Sequence, residues 1–162
     1  SCSLVGSEMC IRDSIEDGAS RLGIRIITAM QNDASKFNAE LPQADRVLCD
    51  VPCSGLGVIR RKPEIKFKSP SDFDGLPEIQ YQILETSARY VKPGGTLVYS
   101  TCTLSRAEND EVADRFLAEH PDFEPASLGE AFGSDSGLCR MSITPAKYNS
   151  DGFFIAKFIR LR

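Results

Sequence analysis

The sequence predicts an α/β fold: an open, mainly parallel sheet with helices in its connections, finished by antiparallel C-terminal strands. Two observations carry this. Short apolar or β-branched runs alternate with helical apolar spacing from residue 15 onward. The C-terminus then holds two such runs with only a loop between them.

In chain order, residues 15–22 read as the end of a helix closed near Gly23. Ile24 to Ala29 is β-branched and predicts a strand ending near Asn32-Asp33. A loop with Pro42 leads to a second strand at about 45–50. Residues 51–70 hold Pro52, Gly55, Gly57, Pro63 and Pro70 and predict a long loop, of the kind that is usually functional or disordered. Pro77 suits the first turn of a helix whose face carries Ile79, Ile83 and Ser87, with Leu84 and Ala88 beside it. Lys92-Pro93-Gly94-Gly95 turns the chain into a strand at 96–101. Ser105-x-x-Glu108 spells a capping box before a helix bearing Val112, Ala113, Phe116 and Leu117. Phe123 starts another strand, and 138–143 and 153–159 make two more around Asn149-Ser150-Asp151-Gly152.

A chain of 162 residues is sized for one domain or a large part of one. No apolar run approaches the roughly 20 residues of a bilayer span, and no secretory leader is evident. None of the six cysteines forms C-x-x-C and His120 is the only histidine, so no metal site is expected. A reducing, cytoplasmic setting and a monomer are the expectation. The net charge is −4, yet residues 58–70 carry Arg60, Arg61, Lys62, Lys66 and Lys68 against Glu64 alone. Such a patch is either an ordinary solvated loop or a contact for phosphates.

Two thiols sit just past predicted strands: Cys53 in Asp50-Val51-Pro52-Cys53-Ser54-Gly55 and Cys102 in Ser100-Thr101-Cys102-Thr103. Ligands of open α/β sheets bind outside the carboxyl ends of the strands, so two thiols at two such ends could meet over one substrate. Free cysteine is also commonly buried and inert. Cys2, Cys10, Cys49 and Cys139 read that way, Cys49 being inside a strand. Asp50 could hydrogen-bond the polar edge of a base or merely cap a loop. Asp33 could accept from a cofactor amine or merely open a helix at Asp33-Ala34-Ser35.

The stretch DVPCSGLGVIRRKPEIKF (50–67) resembles the motif of the RsmB/NSUN family of RNA (cytosine-5)-methyltransferases. YSTCTLSRAENDEV (99–112) resembles that family's second cysteine motif, KPGGTLVYST (92–101) the strand entry of S-adenosylmethionine-dependent methyltransferases, and DGFFIAKF (151–158) the family's last strand. The resemblance covers about residues 15–162. It implies a Rossmann-like class I methyltransferase fold and methyl transfer from S-adenosyl-L-methionine to C5 of cytosine in RNA, with small-subunit (16S) ribosomal RNA as the expected partner. It also implies Cys102 as the nucleophile that adds to C6, Cys53 as the group that assists release, and Asp50 as the group that binds the base edge. Asp33, Asp50 and Pro52 are then the cofactor-side residues, and Arg60, Arg61 and Lys62 the RNA contacts. An extruded or single-stranded base suits such a site.

The family's cofactor loop and first two strands do not occur, and no G-x-G-x-x-G is present; Gly55-Leu56-Gly57 precedes no helix. Residues 15–162 are therefore expected to be a partial catalytic domain, not competent alone, and residues 1–14 a leader foreign to it. Three rivals stay open. One is a non-catalytic RNA-binding fragment, since the basic loop is kept while the cofactor loop is missing. The others are a thiol redox protein, disfavoured by the lack of C-x-x-C, and an enzyme of the DNA cytosine methyltransferase kind, in which the Pro-Cys thiol attacks.

Overall fold

The computed structural model describes residues 9–129 and 137–162. The chain divides into two compact units, Ser1–Glu40 and Leu41–Arg162. The first contains helix α1 (Met9–Arg21). The expected strand at 24–29 does not form; only Ile27 makes an isolated β bridge. A β-branched run becomes a strand only where a neighbour completes its hydrogen bonds and buries its face. Here Ile26 is 82% exposed, so that condition is unmet.

The second unit runs β1 (Ala44–Asp50), α2 (Leu76–Ala88), β2 (Val91–Thr101), α3 (Asp110–Glu119), β3 (Phe123–Pro125), β4 (Arg140–Ile143), α4 (Pro145–Tyr148) and β5 (Phe153–Arg160). Its strand order is β1-β2-β5-β3, with β4 also paired to β5. Only β1 and β2 pair in parallel among the described residues; β5 is antiparallel to β2, β3 and β4. The sheet is thus mixed, and the mainly parallel sheet expected from sequence is corrected. Parallel neighbours need a long crossover, and α2 supplies one between β1 and β2. The last strands are joined without such a crossover, and they pair antiparallel.

Lys92-Pro93-Gly94-Gly95 does not stand outside its strand. It is absorbed into β2 as an irregularity between the Ala44–Val91 and Arg46–Thr96 pairs, with Gly94 at φ +75°, a region open to glycine. The core is built from alternating strand residues. Leu97 and Tyr99 on β2 and Phe154, Ala156 and Phe158 on β5 are buried with Leu84 of α2 and Val112, Ala113 and Phe116 of α3. Phe116 lies against His120, Phe123 and Phe158 at ring-centroid distances of 4.5, 5.2 and 5.1 Å. Burying each such large apolar side chain contributes about 1.5–3 kcal/mol.

Two local expectations need correction. The buried face of α2 is Gln80, Tyr81, Leu84 and Ala88, whereas Ile79 is 44% exposed. The capping box at Ser105 does not form: α3 has Asn109 at its N-cap and no side-chain cap bond. Both departures have one cause, a buried polar cluster described below, which draws Gln80 and Glu108 inward.

Candidate active site

The parallel register of β1 and β2 explains how distant thiols converge. Cys49 faces Tyr99 and Asp50 faces Ser100, so both strands reach their carboxyl ends side by side. Ser100 Oγ donates to Asp50 Oδ1 at 2.8 Å, which orients an otherwise exposed carboxylate. The Val51 N–H donates to the Ser100 carbonyl at 3.2 Å. Pro52, which has no N–H, then ends the pairing.

One residue further, the Sγ atoms of Cys53 and Cys102 lie 3.0 Å apart. The Cys102 N–H also donates to Cys53 Sγ at 3.3 Å. Both thiols are free and half-buried. Burial, and then the neighbouring Cys102 thiol, push the Cys53 thiol up to about 12. Cys53 therefore keeps its proton at neutral pH and can donate a hydrogen bond to the Cys102 sulfur. Cys49 lies buried within β1, as expected, and burial likewise pushes its thiol up to about 12. Cys139 is half-buried, while Cys2 and the side chain of Cys10 fall outside the described residues.

Sequence reasoning missed the polar cluster beneath the thiols. Glu108, only 2% exposed, accepts from the Ser54 N–H at 2.9 Å, Ser54 Oγ at 2.6 Å and Gln80 Nε2 at 2.9 Å. Ser54 Oγ and Thr103 Oγ1 are 2.7 Å apart. Gln80 Nε2 also donates to the Pro52 carbonyl at 3.0 Å. The signal was present as a polar residue after each cysteine and a glutamate shortly beyond the second. A local capping motif explained that glutamate equally well.

A third loop completes the arrangement. Gly57 N–H donates to the Cys102 carbonyl at 3.0 Å, and Gly152 N–H to the Gly57 carbonyl at 2.8 Å. Beside Gly152, Asp151 pairs with Arg61 Nε at 2.6 Å and Arg60 Nη2 at 3.6 Å. The two guanidinium groups thus stand together next to the thiol loop, both well exposed. Lys62 precedes the 3-10 turn Pro63–Phe67 and is also exposed.

The paired thiols and the carboxylate beside them stand at the carboxyl ends of adjacent parallel strands, where open α/β sheets bind their ligands. The sequence profile of the family described as "16S rRNA methyltransferase RsmB/F" matches residues 8–159. The chain belongs to this RsmB/F family. It is 50% identical over 149 residues to the "Probable ribosomal RNA small subunit methyltransferase B" of Bacillus subtilis, covering 87% of this chain and 33% of that protein. It is 39% identical over 145 residues to the "Ribosomal RNA small subunit methyltransferase F" of Escherichia fergusonii, covering 85% of this chain and 30% of that protein. The chain spans about a third of the length of these RsmB/F relatives.

Among solved structures, NSun6 from Pyrococcus horikoshii with SFG superposes at a TM-score of 0.84 with 27% identity, over 99% of this chain and 41% of that one. A methyltransferase homologue protein from the same organism superposes at 0.78 with 27% identity, over 98% and 53%. The fold is the Rossmann-like fold of S-adenosylmethionine-dependent methyltransferases, of which the RsmB/F chain covers part.

The residues assigned to a cofactor in this RsmB/F chain fare differently. Asp50 and Pro52 are exposed at the end of β1, and the fixed Asp50 carboxylate fits a polar acceptor for a bound group. Asp33 belongs to the first unit. Its carboxylate accepts from Ser35 Oγ at 2.7 Å and the Ser35 N–H at 3.1 Å, and pairs with Lys36 Nζ at 3.0 Å. These bonds, the Ser35 hydroxyl first, hold Asp33 at about 2, well below the usual carboxylate range. They are local turn bonds, and the carboxylate stays exposed. Among the described residues no cluster of three or more His, Cys, Asp or Glu could hold a metal, and no helix is long and apolar enough to cross a membrane.

Proposed function

We propose that the chain is the catalytic part of an S-adenosylmethionine-dependent methyltransferase acting on C5 of cytosine in RNA, with small-subunit ribosomal RNA as its substrate. The observation that carries this reading is the 3.0 Å approach of Cys53 and Cys102 beside the exposed Asp50 carboxylate. C5 of cytosine is a poor nucleophile, and a thiol that first adds to C6 is what activates it.

In this reading Cys102 adds as thiolate to C6 and makes C5 electron-rich. Asp50 accepts from the amino group N4–H and, once N3 has taken a proton from solvent as the thiolate adds, from N3–H, which holds the base and stabilises the adduct. Bound S-adenosylmethionine supplies an electrophilic methyl group. The protons on C5 and N3 then pass to solvent water, the C5=C6 bond re-forms, and its electron pair expels the Cys102 sulfur. The Cys53 S–H hydrogen-bonds that sulfur as it departs, so that Cys102 leaves as a stabilised thiolate, the form that attacks in the next turnover. Asp50 and Pro52 form one wall of the cofactor side, and Arg60, Arg61 and Lys62 hold phosphates.

On the same reading residues 15–162 are part of a catalytic domain, and the family match continues ahead of them to residue 8, through the first turns of α1. The coverage of about a third of each relative supports this. So does Leu48, 68% exposed on β1, the terminal strand of the order.

The test is methyl transfer to small-subunit ribosomal RNA by the full-length gene product. Cys102→Ala abolishes transfer and adduct formation, whereas Cys53→Ala accumulates a covalent protein–RNA adduct. Full turnover by Cys102→Ala refutes the assignment, and the reverse pattern assigns the attack to the Pro-Cys thiol.

A further inference from the structure

Glu108 touches neither thiol, yet it is bonded to the residues on their far sides. Ser54 follows Cys53 and Thr103 follows Cys102, and both meet the same carboxylate. Ser54 N–H and Oγ donate at 2.9 and 2.6 Å, and Thr103 Oγ1 lies at 3.4 Å. Gln80 bridges that carboxylate to the carbonyl of Pro52, the residue before Cys53. The main chain of the same turn grips β2: the Glu108 carbonyl accepts from Tyr99 Oη at 2.6 Å. Asn109 accepts from Thr101 Oγ1 at 2.6 Å and donates to the Thr103 carbonyl at 3.0 Å, one residue on each side of Cys102. Both thiol-bearing segments are therefore bound to one buried turn.

A buried carboxylate is a poor choice for stability alone. It loses its hydration, and among the described residues no cation pairs with it. Only a full set of donors offsets that loss, and a well-packed apolar side chain would serve the core as well. What an apolar residue cannot do is direct hydrogen bonds to two separate loops at once. We infer that Glu108 is a positioning residue, which sets the separation and alignment of the Cys53 and Cys102 sulfurs by anchoring Ser54 and Thr103 to one carboxylate. Its importance for methyl transfer rests on the function proposed above, but its effect on the thiols does not.

The geometry is read without RNA by treating the intact protein with 5,5′-dithiobis(2-nitrobenzoate). One thiolate of the pair attacks the reagent disulfide and expels one thionitrobenzoate, giving a mixed disulfide. The second thiol loses its proton to solvent, attacks the protein sulfur of that mixed disulfide and expels the second thionitrobenzoate. Two protein thiols are oxidised to a disulfide and the reagent is reduced to two thiolates. Peptide mapping identifies the joined Cys53 and Cys102 peptides, so the other cysteines do not enter the rate.

Glu108→Ala slows the second, intramolecular step by about tenfold or more, the scale of a lost hydrogen bond to a charged group. Glu108→Gln restores part of it, because an amide keeps one acceptor and its NH2 can donate to the hydroxyls. Phe123→Ala, a core deletion on β3, which pairs with the end of β5 remote from the thiols, lowers stability without slowing the step. If Glu108→Ala does not fold, Ser54→Ala carries the same expectation, since it deletes the hydroxyl bonds at almost constant volume. A folded Glu108→Ala or Ser54→Ala that joins the thiols at the wild-type rate overturns the inference, as does an equal slowing by Phe123→Ala. Methyl transfer is measured on the same proteins. A fall in kcat with unchanged KM for RNA supports the positioning role. A wild type that joins its thiols in a Glu108-dependent way but transfers no methyl group overturns the proposed function and leaves the positioning role standing.

Discussion

Gly57 and Gly152 meet backbone to backbone, with the Gly152 N–H donating to the Gly57 carbonyl at 2.8 Å. A Cβ on Gly57 would stand 2.8 Å from the Cys102 carbonyl oxygen and 2.7 Å from the carbonyl carbon of Gly152. These are main-chain atoms that cannot swing aside. Gly57→Ala is therefore expected to destabilise the protein by about 1–3 kcal/mol, the scale of overpacking a tight site. Urea unfolding measures the loss, and on the proposed function the same variant, by displacing the Cys102 carbonyl, slows methyl transfer beyond any effect of stability. An alanine variant as stable and active as wild type contradicts the close approach.

Alkaline pH should loosen the fold. Cys49 and Cys53 are both raised by burial from 9.0 to about 12 in the folded chain. In the unfolded chain they ionise near their ordinary value. The unfolded state thus binds fewer protons between these limits, and stability falls as pH rises from about 9 toward 12. The contribution is fully present below pH 9. Urea midpoints taken across that window report the slope, and Cys49→Ala flattens it.

Phe116 is fully buried and packs against three rings. Phe116→Ala should cost about 3–5 kcal/mol, enough to consume a large share of a small domain's stability. Thermal unfolding with a calorimetric check of two-state behaviour gives the value. A cost below about 1 kcal/mol, far under the range for such a deletion, means that α3 is not anchored as described.

Arg60 and Arg61 share Asp151 but remain exposed, at 65% and 73% of their side chains. If they hold phosphates, replacing both with glutamine lowers affinity for single-stranded RNA uniformly across sequences. The slope of log affinity against log salt then becomes shallower by about 0.7 for each phosphate that a guanidinium no longer neutralises. An unchanged salt slope returns both residues to a purely structural pairing with Asp151.

Most of the elements were readable because each carries its own local signal. The run before Asp50, the proline opening α2 and the alternation of Phe154, Ala156 and Phe158 are periodicities that packing then obeys. The misreadings came where a residue answers to a distant partner. Ile24–Ala29 has strand chemistry but no completed ladder. Ile79 has core chemistry but yields its place to Gln80, which must reach Glu108 and the Pro52 carbonyl. Glu108 has capping-box spacing but turns to Ser54.

The candidate site divides the same way. The two cysteine motifs and the aspartate before them are words in the sequence, and they carried the family resemblance that the RsmB/F profile match bears out. That the two sulfurs are neighbours depends on the one-residue accuracy of the β1–β2 register, which no local pattern encodes. The cluster under them is less legible still, because a hydrogen bond between residues 54 positions apart leaves no periodicity to read. Sequence by itself determined the element types, the family and the thiols, since these rest on local propensity and short motifs. Tertiary structure alone decided which thiol meets which, and what holds them 3.0 Å apart, since only packing brings two strand ends and a buried carboxylate to one place.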